Sequence, residues 1–224
     1  MEKVRAIVTG ASGMVGEGVL RECLDNEEVG KVLVVGRRSC GIEHPKLTEI
    51  IHKDFFDLSP IEKDLKGWNA CFFCLGVSSI GMSEDEYKRL TYDLTMNFAE
   101  TLVKENSGMT FCYISGQGTD STENGRFAWA RVKGKTENDL MKLPFRAAYG
   151  FRIGFLKPEK RYKNTLGLYK YLGWLYPLVR GVTNKYASTL PEVGRAMIAC
   201  ATEGYEKPVL EVEDIIELSK RKKT

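Results

Sequence analysis

Residues 8–18 read Val8-Thr9-Gly10-Ala11-Ser12-Gly13-Met14-Val15-Gly16-Glu17-Gly18, and this stretch decides the fold. An apolar run over residues 4–8 leads into it, and a helix-like run leaves it at Met14. The order of strand, glycine turn and helix is typical of a phosphate-binding site, because the free N–H groups at the helix N-terminus can hold a pyrophosphate. The spacing is G-x-x-G-x-x-G, which differs from the G-x-G-x-x-G of the general dinucleotide fingerprint.

Each glycine of this turn has its own predicted role. Gly10 permits a turn conformation with positive φ. Gly13 lets a pyrophosphate approach the backbone, and Gly16 lets the helix pack closely on the strand. We therefore expect cofactor contacts from the whole turn, namely from Gly10, Ser12, Gly13, Met14, Val15 and Gly16.

Length and charge narrow the class of protein. The 224 residues, 43% of them hydrophobic, are enough to bury one core. We predict a single domain over residues 1–224, with residues 155–190 as a small substrate-side or lid segment. The net charge of +3 is mild, which argues against nucleic acid as a partner. No run of about 18 uncharged apolar residues occurs, and Met1-Glu2-Lys3 leads straight into the first strand, so we expect neither a membrane span nor a signal peptide.

The six cysteines are scattered, and most fall in predicted strands or helices. This usage is typical of reduced, buried thiols, and we expect a cytoplasmic location. Cys71-x-x-Cys74 lies inside an apolar run without a second pair, so we interpret it as packing rather than as a metal or redox motif. His44 and His52 have no neighbours that suggest a nucleophile or a ligand, and no metal-ligand cluster is predicted.

Apolar runs alternate with helix-like runs through the first two thirds of the chain. Predicted strands cover residues 4–8, 31–36, 46–52, 70–75, 110–114 and 145–153. Predicted helices cover residues 14–25 and 126–143, and two more begin at the capping boxes Ser59-x-x-Glu62 and Ser83-x-x-Glu86. This alternation predicts an α/β fold, a doubly wound parallel sheet of the Rossmann type with helices on both faces.

The alternation weakens after Gly154. Residues 157–185 are basic and aromatic, and we interpret them as a cover over the substrate. Association of this segment with a membrane surface is disfavoured, because its charges do not segregate onto one face. Thr189-x-x-Glu192 caps a further predicted helix, which runs to about residue 202, and residues 209–212 form a late predicted strand.

Two arginines, Arg37 and Arg38, follow the second predicted strand directly. In dinucleotide-binding folds this position faces the adenosine ribose, where an acidic residue selects NAD and an arginine pairs with the 2′-phosphate of NADP. Two arginines and no acid therefore favour NADP over NAD as the cofactor.

Other strand ends supply further candidates. Asp54-Phe55 follows the third strand, where an adenine would lie and a carboxylate can accept from its amino group. Leu75 and Gly76, with Val77, follow the fourth strand and allow backbone approach to a ribose. Ser115 follows the fifth strand, at the sheet edge where ligands bind in open α/β sheets.

With these residues assembled, the chain resembles the short-chain dehydrogenase/reductase superfamily, in particular its atypical or extended, NAD(P)-binding, epimerase-like branch. The resemblance covers residues 1–155 well and the remainder loosely. Its carriers are Thr9-Gly10-Ala11-Ser12-Gly13-Met14-Val15-Gly16, Gly36-Arg37-Arg38, Asp54, Cys74-Leu75-Gly76-Val77, Tyr113-Ile114-Ser115, Val132-Lys133-Gly134-Lys135-Thr136-Glu137 and Phe151-Arg152-Ile153-Gly154-Phe155-Leu156.

The resemblance implies roles for three of these residues. Ser115 matches the family's catalytic serine, and Lys133 matches its catalytic lysine, which also binds ribose hydroxyls. Ile153 stands in place of a proline in the family's segment after the sixth strand, and we expect it to contact the cofactor.

One departure from the family concerns its catalytic tyrosine, which stands four residues before the lysine. Here that position is Trp129. Residues four apart share a helix face, and a nearby ammonium lowers the pKa of a phenol so that it can exchange a proton. An indole N–H donates a hydrogen bond but does not titrate near neutral pH, so Trp129 cannot take the tyrosine's role. Tyr92, Tyr113 and Tyr149 are alternative donors, with a slight preference for Tyr113, although a core position is the favoured interpretation of each.

The sequence leaves two functions open. The first is an NADP-dependent oxidoreductase or epimerase-like enzyme, which acts on a small, partly apolar carbonyl or hydroxyl substrate with an altered proton donor. The alternative is a non-catalytic NADP-binding protein that serves as a redox sensor or a partner-binding regulator. The cofactor positions, Ser115 and Lys133 support the first, whereas Trp129 supports the second.

Overall fold

A computed structural model describes residues 2–157, 162, 164 and 186–221 of the chain. The described strands are β1 (Val4–Thr9), β2 (Val29–Gly36), β3 (Leu47–Ile51), β4 (Ala70–Phe73), β5 (Thr110–Ile114), β6 (Ala147–Phe151), β7 (Phe155–Lys157), β8 (Ala187–Thr189) and β9 (Val209–Leu210). The described α-helices are α1 (Met14–Asp25), α2 (Glu84–Lys88), α3 (Leu94–Glu105), α4 (Ala128–Leu140), α5 (Leu190–Thr202) and α6 (Val212–Leu218).

Seven strands form one sheet in the order β3-β2-β1-β4-β5-β6-β9. Every neighbouring pair in it runs parallel. Strands β7 and β8 pair in a separate small parallel sheet. The order reverses between β1 and β4, and this switch point is where an open α/β sheet holds its ligand. The predicted doubly wound α/β fold is confirmed.

Both faces of the sheet are covered, which explains the continuous apolar strands. On one face, Val8 packs with Leu20 of α1 and Val193 of α5. On the other, Phe73 of β4 packs with Phe98 of α3, their ring centroids 5.5 Å apart. A parallel sheet with buried faces presents its loops at the strand ends, and these loops carry the predicted site.

Two of the three predicted capping boxes are confirmed. The Ser83 hydroxyl accepts from Glu86 N at the start of α2, and the Thr189 hydroxyl accepts from Glu192 N at the start of α5. The box at Ser59 is wrong, because the helical turn begins only at Glu62, with Ile61 at its N-cap position and no side-chain cap. A single 3₁₀ turn, Glu62–Leu65, stands where a helix was expected.

Two further features depart from the sequence expectations. The helix predicted from Ser83 is interrupted by a π-helical turn, Arg89–Asp93, between α2 and α3. The late strand predicted at 209–212 is only β9, and Val212 begins α6. The predicted cover at 157–185 lies almost entirely outside the described residues. No helix in the described part of the chain is long and apolar enough to cross a membrane.

Candidate functional site

The glycine turn is built by close approach of three backbone segments. Gly10 has a φ of +68°, and a Cβ there would lie 2.6 Å from Cys74 O at the end of β4. A Cβ on Gly16 would lie 2.2 Å from Gly10 O. The positive φ predicted for Gly10 is confirmed, and the close packing of Gly16 is directed at the turn itself. A side chain at either position would push β4 or α1 away from the turn, so glycine is required for the tight strand–turn–helix geometry of a dinucleotide site.

A cavity of about 530 Å³ opens in front of this turn, within the size range of small-molecule sites. It joins the glycine turn to the loops after β2 and β4. Its lining consists of Gly10, Ala11, Ser12, Gly13, Val34, Gly36, Arg37, Arg38, Cys74, Leu75 and Gly76. Seven of the predicted cofactor residues therefore share one cavity.

The rest of the turn faces inward. Met14 is buried in the core cluster that covers α1, and Val15 packs against the same cluster. Gly16 is buried beneath Gly10. Contacts from these three residues to a ligand are thus limited to their backbone N–H groups, which lie in the first turn of α1.

Arg37 and Arg38 are both exposed on the loop that leaves β2. Neither guanidinium forms an ion pair with a carboxylate among the described residues. Both line the cavity, so two unneutralised positive charges stand at its edge. This arrangement suits a doubly charged phosphate.

Other predicted cofactor residues lie outside this cavity lining. Asp54 is exposed, and its Oδ1 accepts from Phe56 N (2.9 Å). The Phe55 side chain is in the core, stacked on Phe98 at 5.7 Å, so only its backbone is available to an adenine. Val77 and Ile153 are half-buried.

A second cluster joins β5, α4 and the segment after β6. Ser115 is buried, and its hydroxyl donates to Glu137 Oε1 (2.5 Å). Arg152 Nη2 donates to the other oxygen of Glu137 (2.7 Å). A Cβ on Gly150 would lie 2.7 Å from Glu137 Oε1, so a glycine in β6 makes room for the carboxylate. The proton of Ser115 is therefore directed at Glu137.

Sequence reasoning missed Glu137 as a site residue. The available signal was its spacing, since Glu137 stands four residues after Lys133 and shares its helix face. The partner Arg152 lies 15 residues further on, and only the packing of α4 against β6 brings the two together.

Lys133 is half-buried beside this cluster. Its Nζ donates to Ile114 O (3.3 Å) and lies 5.4 Å from the centroid of the Tyr113 ring. Burial lowers the pKa of Lys133 to about 8, and the negative charge of Glu137 opposes this shift. Lys133 thus has a titration point close to neutral pH.

Trp129 lies on the same face of α4, one turn before Lys133. Its ring packs against the loop after β5, where a Cβ on Gly118 would lie 3.4 Å from Trp129 Cη2. The indole N–H donates to no residue in the described part of the chain. The position of the family tyrosine is thus filled by a half-buried ring without a titratable group.

The three alternative tyrosines do not line the cavity. The Tyr113 hydroxyl is buried without a hydrogen-bond partner among the described residues, and burial raises the pKa of Tyr113. The Tyr149 hydroxyl accepts from Tyr205 N (2.9 Å). The Tyr92 hydroxyl donates to Asp139 Oδ2 (2.7 Å). The core interpretation of Tyr113 and Tyr149 is confirmed.

The described residues contain no group of three or more His, Cys, Asp or Glu side chains that could hold a metal ion. Cys71 is fully buried and Cys74 half-buried, and neither forms a disulfide. Burial raises the pKa of both thiols, in keeping with a packing role.

Two relatives resemble the chain in sequence. It is 32% identical over 160 residues to FMP52-2, a mitochondrial protein of Scheffersomyces stipitis, in a match that covers 69% of this chain and 67% of that protein. It is 28% identical over 163 residues to HTATIP2 of Rattus norvegicus, in a match that covers 72% of this chain and 66% of the rat protein. The chain thus matches about two thirds of the length of these curated relatives. No protein-family profile matches it.

Solved structures resemble it in fold. A short-chain dehydrogenase family protein of Francisella tularensis superposes with a TM-score of 0.62 at 16% identity, over 90% of this chain and 92% of that one. The Bordetella bronchiseptica enzyme WbmG, in complex with NAD and UDP, superposes with a TM-score of 0.69 at 11% identity, over 97% of this chain and 77% of that one. At such identities the likeness shows the fold.

The fold and the glycine turn are those of NAD(P)-binding Rossmann proteins of the short-chain dehydrogenase/reductase and epimerase type. Within that class, the chain belongs to the family of FMP52 proteins. The resemblance drawn from the sequence motifs is confirmed.

The cytoplasmic location expected from the sequence is wrong. The FMP52 relatives from Scheffersomyces stipitis and Saccharomyces cerevisiae are named as mitochondrial proteins. Reduced cysteines argue against an oxidising compartment, and they do not identify which reducing compartment holds a protein.

The buried pair of Glu137 and Arg152 yields a stability prediction. We expect Arg152→Met to lower the free energy of unfolding by about 3–5 kcal/mol, because it leaves a buried carboxylate without its cation. The matched control is Arg221→Met, which removes a cation from an ion pair with Glu217 in which both side chains are exposed, and should change that free energy by at most about 1 kcal/mol. Urea unfolding monitored by circular dichroism measures both, and equal effects would contradict the buried role of Arg152.

Proposed function

We propose that the chain is an NADP-dependent oxidoreductase or epimerase-like enzyme. Its substrate is a small molecule with a carbonyl or hydroxyl group, and its proton donor differs from the family tyrosine. The observation that carries the proposal is the pair Arg37 and Arg38, whose charges have no carboxylate partner among the described residues and line the cavity in front of the glycine turn.

The residues present fit such a dinucleotide. N–H groups of the first turn of α1 are suited to the pyrophosphate, and the close approach at Gly10 and Gly16 leaves that backbone bare. Arg37 and Arg38 supply bidentate donors for a 2′-phosphate. The Lys133 ammonium is suited to ribose hydroxyls. When bound, the nicotinamide of such a cofactor accepts or supplies hydride.

The chain's own chemistry is concentrated at Ser115 and Lys133. Ser115 directs its proton to Glu137, so its oxygen lone pairs remain to accept from a substrate hydroxyl. Arg152 holds Glu137 in place and thereby fixes the direction of that hydrogen bond. Trp129 contributes an apolar ring beside these groups, in keeping with a partly apolar substrate.

Cofactor selection gives the first test of this proposal. We expect the wild-type chain to bind NADP more tightly than NAD in side-by-side titrations. Arg37→Ala and Arg38→Ala should each weaken NADP binding about tenfold, because a charge-assisted hydrogen bond contributes about 1.5–3 kcal/mol, while NAD affinity stays nearly constant. The control is Lys31→Ala, which removes an exposed cation near the other end of β2.

Isothermal titration calorimetry measures these affinities directly. Tighter binding of NAD than of NADP would overturn the assignment of the cofactor. Unchanged NADP affinity in both arginine variants would show that the 2′-phosphate is held elsewhere.

A second candidate is a non-catalytic NADP-binding protein that acts as a redox sensor or a regulator of a partner. The observation that favours it is Trp129, which places a group that cannot titrate where the family has its acid. The enzyme and the non-catalytic protein would both bind the dinucleotide in this cavity, so only the enzyme is expected to turn over a substrate.

NADPH consumption across a panel of small carbonyl compounds measures that turnover. We expect the wild-type chain to consume NADPH with at least one of them, and Trp129→Tyr to raise the rate about tenfold or more by adding a phenol next to Lys133. Trp129→Phe controls for the loss of the indole. An inactive wild type with an active Trp129→Tyr variant would establish the second candidate, and inactivity of both would overturn the proposed enzyme.

A further inference from the structure

Helix α4 carries Trp129, Lys133 and Glu137 at intervals of four residues, so all three share one face. Of these, Lys133 and Glu137 carry ionisable side chains, and Trp129 does not. The Glu137 carboxylate already accepts hydrogen bonds from Ser115 and Arg152, and its buried charge is neutralised by the guanidinium. Glu137 therefore serves as a fixed hydrogen-bond acceptor.

The Lys133 ammonium has a different environment. Its Nζ donates one hydrogen bond to Ile114 O. This carbonyl lies at the carboxyl end of β5, one residue before Ser115. Among the described residues, this is the one hydrogen bond made by its three N–H donors. It forms no ion pair with a carboxylate in the described part of the chain. A proton-bearing cation thus stands at the strand end where ligands bind in this fold.

The groups that face Lys133 come from three elements. Tyr113 of β5 presents its ring, Glu137 of α4 presents its negative charge, and Arg152 after β6 neutralises that charge. Tyr87 of α2 lies near Tyr113 and is itself buried. The phenol of Tyr113 is sealed in the core, which leaves the ammonium as the acid of this cluster.

We propose that Lys133 itself donates the proton in this site, in the place of the family's tyrosine. The inference rests on the proposed function. During reduction the carbonyl carbon gains hydride from a reduced nicotinamide dinucleotide, and the electron pair of the C=O π bond moves to oxygen. That oxygen takes a proton from Lys133 Nζ to give the alcohol. Lys133 becomes a neutral amine and regains its proton from water.

The acidity of Lys133 suits this step. Burial lowers its pKa to about 8, so at neutral pH the ammonium is mostly protonated and is a stronger acid than an exposed lysine. The protonated fraction falls as pH rises through about 8. Reduction should therefore slow tenfold per pH unit above that point, whereas alcohol oxidation, which needs the neutral amine, should speed up.

The decisive variant is Lys133→Arg, which keeps the positive charge but cannot release a proton in this range. We expect NADPH affinity, measured by calorimetry, to stay within about threefold, and turnover to fall about 100-fold or more. The matched control is Lys135→Arg on the same helix, which keeps its ion pair with Asp139 and should retain full turnover. Thermal unfolding verifies that both variants are folded.

A second measurement reports on Lys133 without turnover. Competitive labelling of amines in the wild-type chain across pH, read by mass spectrometry, should give Lys133 a midpoint near pH 8. Exposed lysines provide the internal reference at about 10.4.

The outcomes separate the two proposals. Wild-type turnover that survives in Lys133→Arg overturns the proton donor and leaves the enzyme standing, as does a labelling midpoint for Lys133 at that of exposed lysines. Wild-type inactivity across the carbonyl panel overturns the enzyme, and the proton donor with it. Loss of turnover with retained NADPH binding and a midpoint near pH 8 supports both.

Discussion

The close approach of α1 to the turn before it is the constraint on which this structure depends. A Cβ on Gly16 would stand 2.2 Å from Gly10 O, and one on Gly10 would stand 2.6 Å from Cys74 O. Bare backbone at both positions lets β1, β4 and α1 meet at the switch point of the sheet. The same bareness keeps side chains away from the start of α1, the position at which folds of this type hold a pyrophosphate on first-turn N–H groups.

The candidate site has two halves with different physical character. The cavity half is open and carries the charges of Arg37 and Arg38, which have no carboxylate partner among the described residues. The half around Ser115 and Lys133 is buried, and its polar groups are largely satisfied by Glu137 and Arg152. The first half is thus marked by exposed positive charge, and the second by the hydrogen bonds that Glu137 accepts from Ser115 and Arg152. Both halves stand at carboxyl ends of adjacent parallel strands.

Short sequence patterns correctly predicted the helices, strands and caps that are determined by interactions between residues close in the chain. The bounds of α1 and β5 agree with their predictions, and the Thr189 capping box starts α5 as expected. The Ser59 box failed because Ile61 N donates to Leu58 O in a turn, and the helical residues begin only at Glu62. A motif that counts only spacing carries no information on such a turn.

Tertiary contacts decided what the sequence missed. Phe55 follows a strand end, as predicted, yet its ring is drawn into the core by Phe98. Glu137 becomes part of the site only because α4 packs on β6, which brings Arg152 to it and needs Gly150 beneath it. Such pairings depend on the assembled sheet, and periodicity within one segment carries no information on them.

A crystal structure of the chain with bound NADP tests the central claim most directly. The account predicts the pyrophosphate on the backbone N–H groups of the glycine turn and the 2′-phosphate in contact with the guanidinium of Arg37 or Arg38. A complex in which the pyrophosphate lies away from Gly10 and Gly13, or in which both arginines point into solvent beside a bound 2′-phosphate, would contradict it.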